Sequence, residues 1–423
     1  MPVYSLFKPR PIKACGQVWN HAMNALSGSA PSKRAPFIIL ILAALFVGSV
    51  GNGIYGTIFN NYLADVQQMP ASGRGILELP RELPGVLSMF AVGMLFFLNE
   101  VRIATVAMLL CCIGTAALAL PSISTGFWPL AIWIMVASLG QHILMVIADA
   151  IVIHTALPEN RGLRLGQMRA LGTAAGLLAA FLVWIKWKFN SSYAVDFVFV
   201  TILCLVAGAM LMFVKTDKFP DRGGWKDSFF LKRKYAKYYL LETLFGARKQ
   251  VFITFGSWLM VSTLKLSPSY MGMTLLVAGV LGLAFQPFIG KMIQRFGEGR
   301  VLSVDCGILF FVCMTYAFAL DLFSPAVALG AITVCFILDS LLFADGAARA
   351  HYLGRICERK EEITPSLYTG MAINHVVSIV CAVFGGLLWT WSGSHRLVFV
   401  FSAILAILSG IVSETIKKAP QEK

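Results

Sequence analysis

Twelve apolar stretches follow one another between positions 36 and 416, most of them long enough to cross a bilayer as a helix, which takes about 20 residues. The pattern predicts helices over 36–63, 83–98, 101–120, 127–156, 165–187 and 195–214. A second set covers 238–264, 270–292, 301–320, 324–352, 368–391 and 397–416. Most are plain runs of Leu, Ile, Val, Ala and Phe, but the first, fourth, seventh and tenth carry polar residues. These are Asn52 and Tyr55; Gln141, His142 and Asp149; Arg248, Lys249 and Gln250; and Asp339, Asp345 and Arg349. Ionisable groups are costly in lipid unless they face a protein interior or a wet cavity. Their recurrence at every third helix predicts a polar pathway inside a repeated architecture.

The interruption over 215–237 divides the predicted helices six and six. The expected organisation is a tail (1–35), a six-helix half (36–214), a basic linker (215–237), a second half (238–416) and a short tail (417–423). Within the linker region, the mix of apolar and basic residues from Phe229 to Leu240 suits either a helix lying on the membrane surface or a solvated connection. The halves echo each other: Ala148-Asp149-Ala150 in the fourth stretch matches Ala344-Asp345-Gly346 in the tenth, and each precedes a basic loop.

Composition removes the soluble alternative. Hydrophobic residues make up 58% of the 423 and charged residues 13%, with a mean hydropathy of +0.75. The net charge of +14 would suggest a nucleic-acid partner if the charges were clustered on a surface. Instead most Lys and Arg fall in the two tails, the 215–237 segment and alternate loops, while Arg74, Arg81, Lys186, Lys188, Lys265 and Arg396 are assigned to the other side. That asymmetry predicts cytoplasmic termini and no nucleic-acid partner. The nine cysteines show no metal-ligand or extracellular pairing pattern, and no nucleotide-binding motif or nucleophile elbow appears. Neither a cofactor nor catalysis is expected.

The loop from Gly290 to Val301 contains Gly290, Gln294, Arg295, Gly297 and Arg300, and resembles the loop signature of the major facilitator superfamily. Its acidic position is Gln294 here, and the corresponding Asn99-Glu100-Val101-Arg102 of the first half departs further from the signature. The resemblance implies an all-α integral membrane fold of twelve transmembrane helices in two six-helix halves. It also implies that the first, fourth, seventh and tenth helices line a central cavity, and that the Gly290–Arg300 loop latches one access state. The expected protein is a monomeric secondary transporter in the plasma membrane, surrounded by lipid, moving a small-molecule substrate, with protons as coupling ion.

Particular side chains carry the candidate chemistry. Arg248 and Lys249, about 15 Å from the start of their helix at ~1.5 Å per residue, are expected to hold an anion or zwitterion together with Gln250, Asn52, Tyr55 and Gln141. Proton coupling or gating is assigned to Asp339, Asp149, Asp345, Arg349, His142 and His375, with Asp345 and Arg349 spaced to pair on one helix face. Asp149 has only His154 as a local partner. The three aspartates would serve a cationic substrate equally well. A lipid or cationic-compound carrier of the same fold, and a membrane enzyme or receptor, remain open alternatives.

Overall fold

The computed structural model describes residues 35–95, 97–155, 161–214, 231–359 and 362–416. The tails and most of the linker lie outside that range. Twelve long helices follow in the described residues. The first half comprises α1 (Ala35–Asp65), α2 (Glu78–Met94), α3 (Glu100–Leu118), α4 (Phe127–Thr155), α5 (Arg161–Lys188) and α6 (Tyr193–Met212). The second comprises α7 (Ala236–Val251), α8 (Pro268–Phe296), α9 (Glu298–Leu322), α10 (Pro325–Leu342), α11 (Ile363–Ser392) and α12 (Arg396–Glu414). A short helix, Ala71–Ile76, leads into α2. α7 continues through two π-helical stretches, Phe252–Gly256 and Leu259–Thr263, and α10 through a 3₁₀ turn, Phe343–Asp345, into Gly346–Ile356.

Among the described residues ten helices are long and apolar enough to cross a membrane. The two that are not, α2 and α7, bring the densest charge to the middle of the molecule. This corrects the sequence-based start of the second span at position 83. Arg74 and Arg81 do not sit in an outer loop. They belong to the Ala71–Ile76 helix and to α2, where Glu78, four residues after one and three before the other, pairs with both. Likewise 236–240 is the first turn of α7, with Tyr235, Tyr238 and Tyr239 buried in the second half, rather than a helix on the membrane surface.

Each half builds its own core. In the first, small residues let helices close to backbone contact, as in other membrane bundles. A Cβ on Gly114 would meet the Ala137 backbone nitrogen at 2.6 Å, and one on Gly140 would meet the Ala107 carbonyl at 2.4 Å. In the second half Phe252, Tyr316 and Phe399 form an aromatic cluster, with Tyr316 and Phe399 stacked at 4.7 Å.

The halves meet through α2 against α11 and α5 against α8, two pairings that exchange under a six-helix shift. Most of the direct contacts between halves gather at the end of the bundle where α1 finishes. There Asn61 donates to the Leu266 carbonyl at 2.7 Å, Ser269 to the Trp184 carbonyl at 2.9 Å, and the Ser72 amide to the Thr390 hydroxyl at 3.0 Å. At the opposite end, where α1 begins, no residue over 163–174 of α5 or 279–292 of α8 is buried. A helix packed in a closed bundle would show a buried stripe over such a length. The bundle is shut at one end and splayed at the other.

Gly75 makes the closure possible: a Cβ there would lie 2.3 Å from the Ala382 carbonyl oxygen and 3.0 Å from the Gly386 Cα. Gly75→Ala is expected to disfavour this closed end by about 1–3 kcal/mol, enough to shift the population by roughly ten- to a hundredfold. Maleimide labelling of a Ser72→Cys reporter should rise accordingly. Unchanged labelling would show that this contact does not control closure.

Candidate functional site

A cavity of about 270 Å³ lies between the halves. α1 supplies Asn52, Tyr55, Thr57 and Asn60; α2 supplies Arg81; α4 supplies Gln141. From the second half come Phe252, Ile253 and Ser257 of the irregular part of α7, Met271 and Leu275 of α8, and Phe336, Asp339, Ser340 and Phe343 on and just past α10. The wall is therefore amide, hydroxyl and aromatic, with one guanidinium and one carboxylate contributed from opposite halves. The π-helical turns of α7 re-aim its side chains where the cavity begins, a feature common at functional positions.

Beneath this wall runs a buried polar network. Arg74 donates to Glu78 at 2.5 Å and to Asn60 at 2.7 Å, and Arg81 donates to the same Glu78 oxygen at 2.6 Å. Thr254 reaches Glu78 across the halves at 3.3 Å and accepts from Gln250 at 2.8 Å. Asn60 also bridges the halves, donating to Ser257 at 2.7 Å. Arg74, Glu78 and Gln250 are fully buried. Two arginines share one carboxylate, and Glu82 beside Arg81 supplies the second negative charge, which offsets charge that would otherwise be prohibitive in a bilayer.

Asn52, Tyr55, Gln141 and Asp339 thus share the cavity, whereas the basic pair does not line it. Arg248 is turned into the second half, 3.6 Å from Asp339 and 3.7 Å from Asp305 of α9, between the rings of Phe245 and Phe343. Lys249 donates to Asn374 of α11 at 2.8 Å. The Asp345–Arg349 pair forms at 2.8 Å, and Arg349 also binds Glu242 at 2.9 Å. Asp149 is joined to Arg169 of α5, at 2.7 Å, and the side chain of His154 lies outside the described residues. His142 and His375 stand edge to face, their ring centroids 5.2 Å apart.

In the loop region α8 runs unbroken to Phe296, so Gly290, Gln294 and Arg295 are helical. Gly297 makes the turn with φ +85°, a conformation that favours glycine. Gln294, Arg295 and Arg300 are exposed. The carboxylate that ties this corner is Glu298, which accepts from Arg355 at 3.0 Å and lies 2.7 Å from His351. The buried carboxylate at this corner is thus at position 298 rather than 294, and Glu100 opens α3 at the corresponding place in the first half, also buried.

At the same end Glu362 gathers Lys232, Lys234, Arg359 and the Tyr235 hydroxyl. The Lys234 hydrogen bond, then those of Tyr235 and Lys232, hold its carboxyl below the usual carboxylate range. A depressed folded value means the contribution is present above the unfolded carboxylate pKa of about 4.3 and fades as pH falls through the lower folded value. Wild type is therefore expected to melt above Glu362→Gln at pH 7, with the gap narrowing as pH falls below about 4. A gap independent of pH would refute the assignment.

Glu78, Glu82, Asp305 and Glu298 were not singled out from the sequence, and Arg74 and Arg81 were read only as loop charges. The 74–82 segment did offer a signal, since its charges alternate in sign at spacings of four and three, which places them together on one helical face.

Two pseudo-equivalent helical halves around a polar central cavity are the architecture of a membrane transporter. The sequence model of the Major Facilitator Superfamily matches residues 41–348, and the chain belongs to that family. Solved structures similar to it include a point mutant of the nucleoside transporter NupG, with 15% identity and a TM-score of 0.72 over 89% of this chain and 98% of that one. A bacterial homologue of the iron transporter ferroportin, in an inward-facing state, shows 14% identity and a TM-score of 0.69 over 89% and 98%. A D-xylose–proton symporter shows 14% and 0.67 over 90% and 96%. At these identities the likeness shows the fold alone. No curated protein sequence matches the chain significantly.

Proposed function

We propose that this transporter carries a small zwitterionic or anionic organic solute across the plasma membrane, with its substrate in the cavity between α1, α4, α7 and α10. The observation that carries the reading is the pairing of Arg81 and Asp339 as the charged groups of one cavity wall, contributed by different halves. A solute with separated charges would engage both and so report closure to both halves. Asn52, Tyr55, Asn60, Gln141, Ser257 and Ser340 supply neutral hydrogen bonds around it. Arg81 replaces Arg248 and Lys249 as the anion-binding group.

The splayed end is the cytoplasmic one on this reading, because α1 begins there, α12 ends there and the described basic loops lie there, which makes the described state inward-open. Proton coupling is supported by the triad of Arg248, Asp305 and Asp339. It holds two carboxylates to one guanidinium and becomes neutral by taking up one proton.

The test is uptake of labelled zwitterionic, anionic, cationic and uncharged metabolites by proteoliposomes of the purified protein. A zwitterion or anion is expected to accumulate. A charge-assisted hydrogen bond is worth about 1.5–3 kcal/mol, so Arg81→Gln should weaken apparent affinity by roughly ten- to a hundredfold. Accumulation of cations alone, unaffected by Arg81→Gln, would overturn the substrate class.

A further inference from the structure

Beside the cavity lies a cluster that the transport reading leaves unused. Glu82 of α2, His142 of α4 and His375 of α11 each bring one donor atom to within 4.8 Å of the others. Their chain neighbours Arg81 and Gln141 line the cavity itself. His375 Nδ1 meets Glu82 Oε2 at 2.8 Å, and both residues are buried.

The histidine tautomers are set by their partners. His142 Nδ1 lies 2.9 Å from the Ser138 carbonyl oxygen, which only accepts, so Nδ1 carries the proton and Nε2 keeps its lone pair. A backbone carbonyl on the remote nitrogen is the usual arrangement for a histidine that binds metal through the other one. Room for both rings is made by Gly85, next to the in-helix Pro84. A Cβ there would lie 2.8 Å from His375 Cε1 and Nδ1 and 2.9 Å from His142 Cδ2. Two imidazoles and one carboxylate form a donor set for Zn²⁺, Co²⁺ or Fe²⁺ rather than for Mg²⁺ or Ca²⁺.

We propose that Glu82, His142 and His375 form a site for one divalent transition-metal ion that pins α2 and α4 of the first half to α11 of the second. The ion takes the place of the proton joining His375 Nδ1 to Glu82 Oε2, and that proton leaves to solvent as the metal binds. Arg81 and Lys249 are the cations facing Glu82. Arg81 shares Glu78 with Arg74, and Lys249 donates to the neutral amide of Asn374, so positive charge remains near Glu82, and one carboxylate with two neutral imidazoles suffices for a single ion. Because its ligands come from both halves, an occupied site opposes the rocking that alternating access requires, and the ion acts as a brake.

The experiment is Co²⁺ titration of the purified, metal-stripped full chain, followed by visible absorption, with Zn²⁺ added to displace Co²⁺. One Co²⁺ per chain is expected, displaced by Zn²⁺ and not by Mg²⁺ or Ca²⁺. Affinity should fall by more than about tenfold in each of His375→Ala, Glu82→Gln and Gly85→Ala, the last leaving all three ligands in place. Metal-free melting curves identify any variant that fails to fold. X-ray absorption of the Zn²⁺-loaded wild type needs no variant, and is expected to show two imidazole ligands and no sulfur. Absence of binding, sulfur ligation, or equal affinity in the folded variants would each overturn the site.

Discussion

Glu78→Ala is expected to destabilise the protein by about 3–5 kcal/mol, the cost of removing one partner from a buried ion pair. The geometry makes this a severe truncation. Glu78 and Arg74 are both fully buried, 2.5 Å apart, and Arg81 shares the same carboxylate oxygen. Removing it leaves Arg74 with Asn60 as its remaining hydrogen-bond partner, and places two guanidinium groups near each other with no common counter-ion. Arg74→Met should be harmful for the mirror reason. The double variant Arg74→Met, Glu78→Ala removes both buried charges, so it should be less destabilised than the sum of the single losses. Thermal melts of the four proteins in detergent complete the cycle. Additive losses would mean that the two side chains do not depend on each other, contrary to their contact.

The same segment shows why part of the site was legible in the sequence and part was not. Asn52, Tyr55, Gln141 and Asp339 stand out because each interrupts a long apolar run, and all four reach the cavity. The 74–82 stretch carries four charges within nine positions, so a hydropathy reading begins the helix after them. It becomes intelligible as buried only once the charges are seen to cancel within one face. Rotation about a helix axis is a second limit. Arg248 and Lys249 are adjacent and so point about 100° apart; the sequence does not say which faces the cavity, and in the structure neither does. Past Val251 the π-helical turns shift the register again, with no periodic signal to announce them. The loop acid is a subtler case: the signature position holds Gln294, while Glu298, the first residue after the glycine turn, makes the contacts.

Asp339→Asn is expected to separate solute movement from the proton gradient. Arg248 stands 3.6 Å from Asp339 and 3.7 Å from Asp305, on three different helices of the second half. With both carboxylates ionised the triad bears one excess negative charge, and one proton removes it. Asparagine reproduces the shape and neutrality of the protonated acid but cannot release a proton, so the triad stays neutral and the variant should fold. One pH unit corresponds to 1.36 kcal/mol, so a carrier moving one proton with each solute can concentrate it by about tenfold per unit. In proteoliposomes that tenfold accumulation should vanish in Asp339→Asn, while exchange of labelled for unlabelled solute without a gradient continues at saturating solute, with a weaker apparent affinity because the charge opposite Arg81 is lost. Asp305→Asn is the control from the other arm of the triad: it does not line the cavity, and gradient-driven accumulation should persist if Asp339 is the group that cycles. Retained accumulation in Asp339→Asn would refute this assignment. Loss of both accumulation and exchange would instead make Asp339 chiefly a substrate contact, with its charge needed opposite Arg81 rather than for the proton.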